Sequence, residues 1–127
     1  MPEKHLYEYA VIRVIPRVER EEFMNVGVIL YCHSEQFLKT LYFINPERLA
    51  AFYEKTELAE LEERLQAFVC ICNGKDEGGT IGALPMVSRF RWLTSARSTV
   101  VQTSPVHSGL CLEAEKTLEG LYQDLVL

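Results

Sequence analysis

Between Leu6 and Ile15 the chain runs LYEYAVIRVI, a stretch dominated by aromatic and β-branched residues that Pro16 closes. This composition favours an extended strand, where branched side chains pack well on a pleated surface. Phe23 to Cys32 and Phe37 to Ile44 have the same character, and the polar His33-Ser34-Glu35-Gln36 separates them. Three antiparallel strands in a meander are expected, with Pro16 to Glu22 making the first turn. Centring the two turns sets Arg13 opposite Asn25, Val11 opposite Gly27, and Gly27 opposite Tyr42. A glycine inside a strand leaves a gap that an aromatic neighbour can cover, which gives Gly27 a structural reading beside that of a ligand approaching the backbone.

The period then changes. Asn45-Pro46 offers a cap followed by a proline at the first helical position, predicting a short helix through Tyr53. After Glu57, the residues Leu58, Leu61, Leu65, Phe68, Val69 and Cys72 recur at helical spacing. Glu57, Glu60, Glu62, Glu63 and Arg64 fill the other side as a solvated face, and Asn73-Gly74 ends the helix. Lys75 to Gly82 reads as a glycine-rich loop. Pro85 opens a third helix carrying Met86, Val87, Phe90 and Leu93 toward the core, and Ser98 to Ser104 reads as a fourth strand. Ala114, Leu118, Leu121, Tyr122 and Leu125 mark an amphipathic C-terminal helix that contains Gly120. The fold class expected is α+β: a three-stranded antiparallel meander plus a later fourth strand, packed against three to four helices. No repeat or low-complexity linker interrupts it, so residues 1–127 read as a single domain.

Composition narrows the function classes. The chain has 127 residues, 48% hydrophobic, enough to bury a core without a metal or disulfides. Its first ten residues lack the apolar stretch of a signal peptide, and its longest apolar run, Val26 to Cys32, falls far short of the roughly 20 residues that span a bilayer. A cytoplasmic, reducing setting follows as the expectation, with the four cysteines free. Cys70 and Cys72 point apart on their helix, no Cys-x-x-Cys is present, and no metal ligand set or cofactor site can be assembled from spacing alone. The net charge of −5 opposes phosphate backbones and argues against nucleic-acid binding.

One electrostatic anomaly stands out. Between Gly78 and Leu112 there is no Asp or Glu, while Arg89, Arg91 and Arg97 supply three positive charges, leaving the rest of the chain at −8 against a whole-chain −5. Hydroxyl and amide side chains crowd the same stretch, a chemistry suited to carboxylate or phosphate. The competing reading pairs these arginines with glutamates of the long helix. Gly78-Gly79-Thr80-Ile81-Gly82 lacks the Gly-Lys-Ser/Thr ending of a P-loop and reads as a connector. Ser104 and His107 have no nearby acid and no Gly-x-Ser-x-Gly elbow, so no catalytic residue is assigned. His5 and His33 fall at a chain end and in a turn, where exposure is the default.

Tyr9-Ala10-Val11-Ile12-Arg13 with Pro16, then Glu22-Phe23 and Asn25-Val26-Gly27-Val28, resembles the opening of short bacterial proteins of domain-of-unknown-function family 3037. Arg97-Ser98, Gln102-Thr103-Ser104-Pro105, Gly109 and a closing helix with Leu118, Leu121 and Val126 are similar too. Arg17 and Cys111-Leu112 depart from that pattern, where acids are expected. The resemblance implies no catalytic signature. It implies a protein partner, a modulator or antitoxin-like subunit of kinase-like proteins related to the HipA toxins.

Two functional readings result. The first is a non-catalytic protein-interaction module, with homo-oligomerisation left open. The second is a small-molecule anion-binding protein or enzyme using Arg97, Gln102, Ser104 and His107 with Arg13 and Asn25 from the first hairpin. The second requires the fourth strand to lie beside the first.

Overall fold

The structure, a computed structural model, describes residues 3–15, 18–52, 58–97 and 99–127. Three long antiparallel strands, β1 (His5–Val14), β2 (Met24–Cys32) and β3 (Phe37–Tyr42), form the predicted meander. The chain then makes helices α1 (Pro46–Phe52) and α2 (Leu58–Asn73), a 3-10 turn (Lys75–Gly78), and helices α3 (Gly79–Gly82) and α4 (Met86–Thr94). Two short strands, β4 (Val101–Thr103) and β5 (His107–Cys111), precede the last helix α5 (Ala114–Leu125). The sheet runs β3-β2-β1, and both β4 and β5 pair antiparallel with the other edge of β1. The fold is α+β. Pro16, Tyr53 and Ser98, which bound three of the predicted elements, lie outside the described residues, as do Arg17 and Glu57.

Alternation along β1 divides the molecule into layers. Ala10, Ile12 and Val14 point into one core with Leu49 of α1, Leu61, Leu65, Phe68 and Ile71 of α2, and Phe90 and Leu93 of α4. Tyr7 and Tyr9 point to the opposite face, where Val28, Leu30 and Cys32 pack against Ala114 and Leu118 of α5. Asn45 caps α1 as expected, its Oδ1 accepting from the backbone N–H groups of Glu47 and Arg48.

Two irregularities flank β1 at the same level. Ile12 faces Gly27 but Arg13 faces Asn25, so Val26 is an extra residue in β2. This bulge returns both Val26 and Ile29 to the same core despite their odd separation. It also corrects the register: Arg13 opposite Asn25 and Gly27 opposite Tyr42 are observed, whereas Val11 faces Val28 rather than Gly27. A Cβ on Gly27 would come within 2.8 Å of the Leu41 carbonyl oxygen and 3.0 Å of Tyr42 Cβ, so the strand pair occupies the space a side chain would need.

The second irregularity ends the expected fourth strand at Thr103 and is followed by a strand, β5, that was not expected. Thr103 pairs with Ile12 and His107 pairs with Tyr9, so Ser104-Pro105-Val106 bulges between two short strands that share one edge of β1. Ser104 bridges the gap. Its N–H donates to the Val11 carbonyl, and its Oγ accepts the Val11 N–H at 2.9 Å.

Three further expectations are corrected. Lys75 to Gly82 is helical rather than a loop, docked on α2 with the Asn73 amide donating to Glu77. Leu58 is exposed at the first turn of α2, and Ile71 takes a place in the buried stripe. On α4, Val87 faces outward because the three- and four-residue steps that bury Phe90 and Leu93 run through Met86.

Candidate functional site

The three arginines of the acid-free stretch have three fates. Arg89 reaches the end of α2, where its Nη1 donates to the carbonyls of Ile71 (2.9 Å) and Cys72 (2.8 Å) and its Nε to Leu84 O (3.0 Å). Helix ends leave carbonyls without intrahelical donors, and Arg89 supplies them. Gly74, at φ +78°, turns the chain out of α2 directly beneath this guanidinium. Arg91 forms a two-pronged pair with Glu8 of β1, at 2.8 and 3.1 Å, tying α4 to the sheet. Neither pairs with the glutamates of α2 among the described residues.

Arg97 behaves differently. Its guanidinium lies 4.2 Å from the centre of the Trp92 ring and donates to the Trp92 carbonyl and to Ser95 Oγ. Among the described residues no carboxylate pairs with it. Partial burial pulls its pKa down from the usual arginine value, though a guanidinium stays charged at neutral pH. Trp92 remains 41% exposed, which is unusual for the largest apolar side chain. Together they border an open cleft of about 250 Å³ between α2 and α4, floored by Phe68, Ile71 and Leu93, with Arg64 on its far rim. Arg64 also holds Glu60 one turn earlier at 3.0 Å. Trp92, Phe68 and Arg64 were not singled out from sequence as site residues. The available signal was the chain's lone tryptophan, placed off the Met86, Phe90 and Leu93 stripe of its helix.

The other residues expected to bind an anion separate into two groups. β4 does lie beside β1, and Arg13 faces both Asn25 and Gln102, so these three form a row across β2, β1 and β4. Arg13 stacks over Phe23 at 4.1 Å, Asn25 Nδ2 donates to Leu125 O at the end of α5, and Gln102 Nε2 donates to Thr99 O. Arg13 Nε and Asn25 Oδ1 are buried without a hydrogen-bond partner. Arg97 does not join this row: it packs with α4 on the α2 side of the sheet, whereas Arg13 belongs to the α5 side.

Ser104 and His107 do not form a reactive couple. The Ser104 hydroxyl is buried, accepts from Val11 N–H and donates to the Pro105 carbonyl at 2.9 Å. His107 lies exposed beyond the bulge, its ring 5.4 Å from that of Tyr9. A hydroxyl held in a sheet ladder is not poised as a nucleophile.

No helix among the described residues is long and apolar enough to cross a membrane. The four cysteines are free thiols. Cys72 is buried against Thr40 Oγ1 at 3.3 Å, while Cys70 is half-buried beside Gln66, so the two meet different surroundings.

No curated protein and no solved structure shows significant similarity to this chain. A family model does match, from residue 9 to residue 126, which takes in all but the first four residues of β1, the rest of the sheet, and the cleft between α2 and α4. The chain therefore belongs to the family described as protein of unknown function, DUF3037.

Proposed function

We propose that this protein is a non-catalytic interaction module of the bacterial cytoplasm, and that the cleft between α2 and α4 receives an acidic, apolar-flanked segment of a partner protein. The observation that carries the reading is Arg97 stacked on exposed Trp92 at the mouth of an apolar cleft. Tryptophan and arginine are the residue types whose truncation most often costs binding energy at protein interfaces, because both combine large contact area with directed polar groups. Arg97, which no carboxylate among the described residues pairs with, gives the cleft mouth a positive charge suited to an acidic segment, while the net charge of −5 opposes nucleic acid. A kinase-like protein related to the HipA toxins is the partner class that the family resemblance favours.

The test is titration calorimetry of the chain against a kinase-like protein related to the HipA toxins. Trp92→Ala or Arg97→Glu should weaken binding by about 30-fold or more, as for an interface anchor worth about 2 kcal/mol. An unchanged affinity in a folded variant would refute the cleft as the docking surface.

A second reading rests on the unpartnered Arg13 Nε: a small anion, phosphate or carboxylate, held by Arg13 and Gln102 at the α5 side of the sheet. Saturable heat on titration with inorganic phosphate or acetate, lost in Arg13→Gln, would favour it.

A further inference from the structure

We propose that Cys32, Glu35 and Cys111 form a binding site for a thiophilic divalent cation, of which Zn²⁺ is the biologically common example. Cys32 ends β2, Glu35 lies in the tight turn that follows, and Cys111 ends β5, where the chain enters α5. The two thiols and the carboxylate lie within 4.8 Å of one another. Ligand bonds of about 2.0–2.3 Å in a tetrahedral zinc site place donor atoms somewhat closer than that, so closing on a cation asks for side-chain movements of an ångström or so.

The construction of the site goes beyond mere proximity. Cys32 and Glu35 stand three residues apart across a turn closed by Gln36 N–H donating to His33 O, with Gln36 in the left-handed region at φ 50°. Two ligands separated by two residues on a turn match a spacing common in zinc sites; Cys111 comes from a distant segment, and three protein ligands leave one tetrahedral position open. Glu35 Oε1 is already oriented, accepting the Ala114 N–H at 3.0 Å. Ser34 Oγ lies 3.7 Å from Cys32 Sγ and 2.8 Å from His5 Nδ1, a polar neighbour on the turn side of a thiol that otherwise packs in the apolar layer under α5. Two thiolates and a carboxylate would leave an excess negative charge around a divalent cation, and the N-terminus of α5, where Glu35 is anchored, offsets part of it. Cys32 and Cys111 are buried while Glu35 is exposed, so the cation enters from the carboxylate side and solvent completes its coordination. Soft sulfur donors favour Zn²⁺ over Mg²⁺ or Ca²⁺. The site is independent of the α2–α4 cleft.

The decisive experiment titrates the reduced, chelator-treated full chain with Co²⁺ and follows thiolate-to-metal charge-transfer absorption. One equivalent should saturate the signal, and added Zn²⁺ should displace it. Cys111→Ser should abolish the band, and Cys70→Ser should leave it intact. Glu35→Gln, a substitution at an exposed position that keeps the fold testable, should weaken Co²⁺ binding by about tenfold or more. The proposal is overturned if the reduced parent gives no band with excess Co²⁺, or if the band survives Cys111→Ser. Equal loss in Cys70→Ser, or unchanged affinity in Glu35→Gln, also overturns it.

Discussion

The Ser104 hydroxyl accepts the backbone N–H of Val11 at 2.9 Å, replacing the strand carbonyl that the bulge at Pro105 carries out of reach. Ser104→Ala would leave a buried N–H unpaired, at a cost of about 1–3 kcal/mol. Urea denaturation should show this as a lower midpoint with an unchanged slope. Ser108→Ala, on the exposed side of β5, should shift stability by no more than about 0.5 kcal/mol. Equal stability of the two variants would remove Ser104 from its structural role.

Arg89 closes the end of α2 through two carbonyls. Arg89→Ala should lower stability by about 1–3 kcal/mol, since charged hydrogen bonds to a helix end are lost. Arg89→Lys should fall between parent and alanine, because a single ammonium cannot reproduce the forked geometry. Thermal denaturation of the three proteins orders them. A neutral Arg89→Ala would show that water caps α2 equally well.

Two glycines give opposite expectations. Gly27→Ala places a Cβ 2.8 Å from a backbone oxygen that cannot rotate away, and overpacking of this kind costs about 1–3 kcal/mol. Gly120 sits inside α5, and a Cβ there meets nothing within 4 Å. Gly120→Ala should therefore stabilise the protein by about 0.5–1 kcal/mol by restricting the unfolded chain. Denaturant midpoints of opposite sign are the expected result.

Alkaline pH should loosen the structure at two sites, the half-buried Tyr42 phenol and the buried Cys72 thiol. Burial, then the hydrogen bond to Glu62, pushes the Tyr42 phenol up from 10.0 to about 12, and burial pushes the Cys72 thiol up from 9.0 to about 11. In both cases the folded state favours the protonated form. Their contribution is thus fully present below the unfolded values and is lost as pH rises, from 9.0 to about 11 for Cys72 and from 10.0 to about 12 for Tyr42. Denaturation measured across that window should show falling stability, and Tyr42→Phe should flatten its upper part. A pH-independent midpoint would count against both shifts.

The linear order of elements was legible because it depends on local chemistry. β-branched alternation made the first three strands, Asn45-Pro46 began α1, Gly74 stopped α2, and the helical stripe through Leu118 made α5. The Arg13–Asn25 and Gly27–Tyr42 pairings were readable for the same reason, since short turns fix register. What the sequence could not carry was any relation in which an inserted residue changes which side of the sheet the chain faces. The bulge at Val26 moved Val11 from Gly27 to Val28, and the bulge at Pro105 ended the expected fourth strand at Thr103, let an unexpected strand, β5, resume pairing with β1, and placed Ser104 in the ladder. The fates of the arginines also needed the tertiary structure, because a side chain's partner is set by which helix end or strand packing brings within its reach. Arg89 met the carbonyls of α2, Arg91 met Glu8, and Arg97 was left on Trp92 beside the cleft. The gathering of Cys32, Glu35 and Cys111 arose in the same way. Sequence spacing joined the first two across a turn, but only the pairing of β5 with β1 and the start of α5 brought in the third.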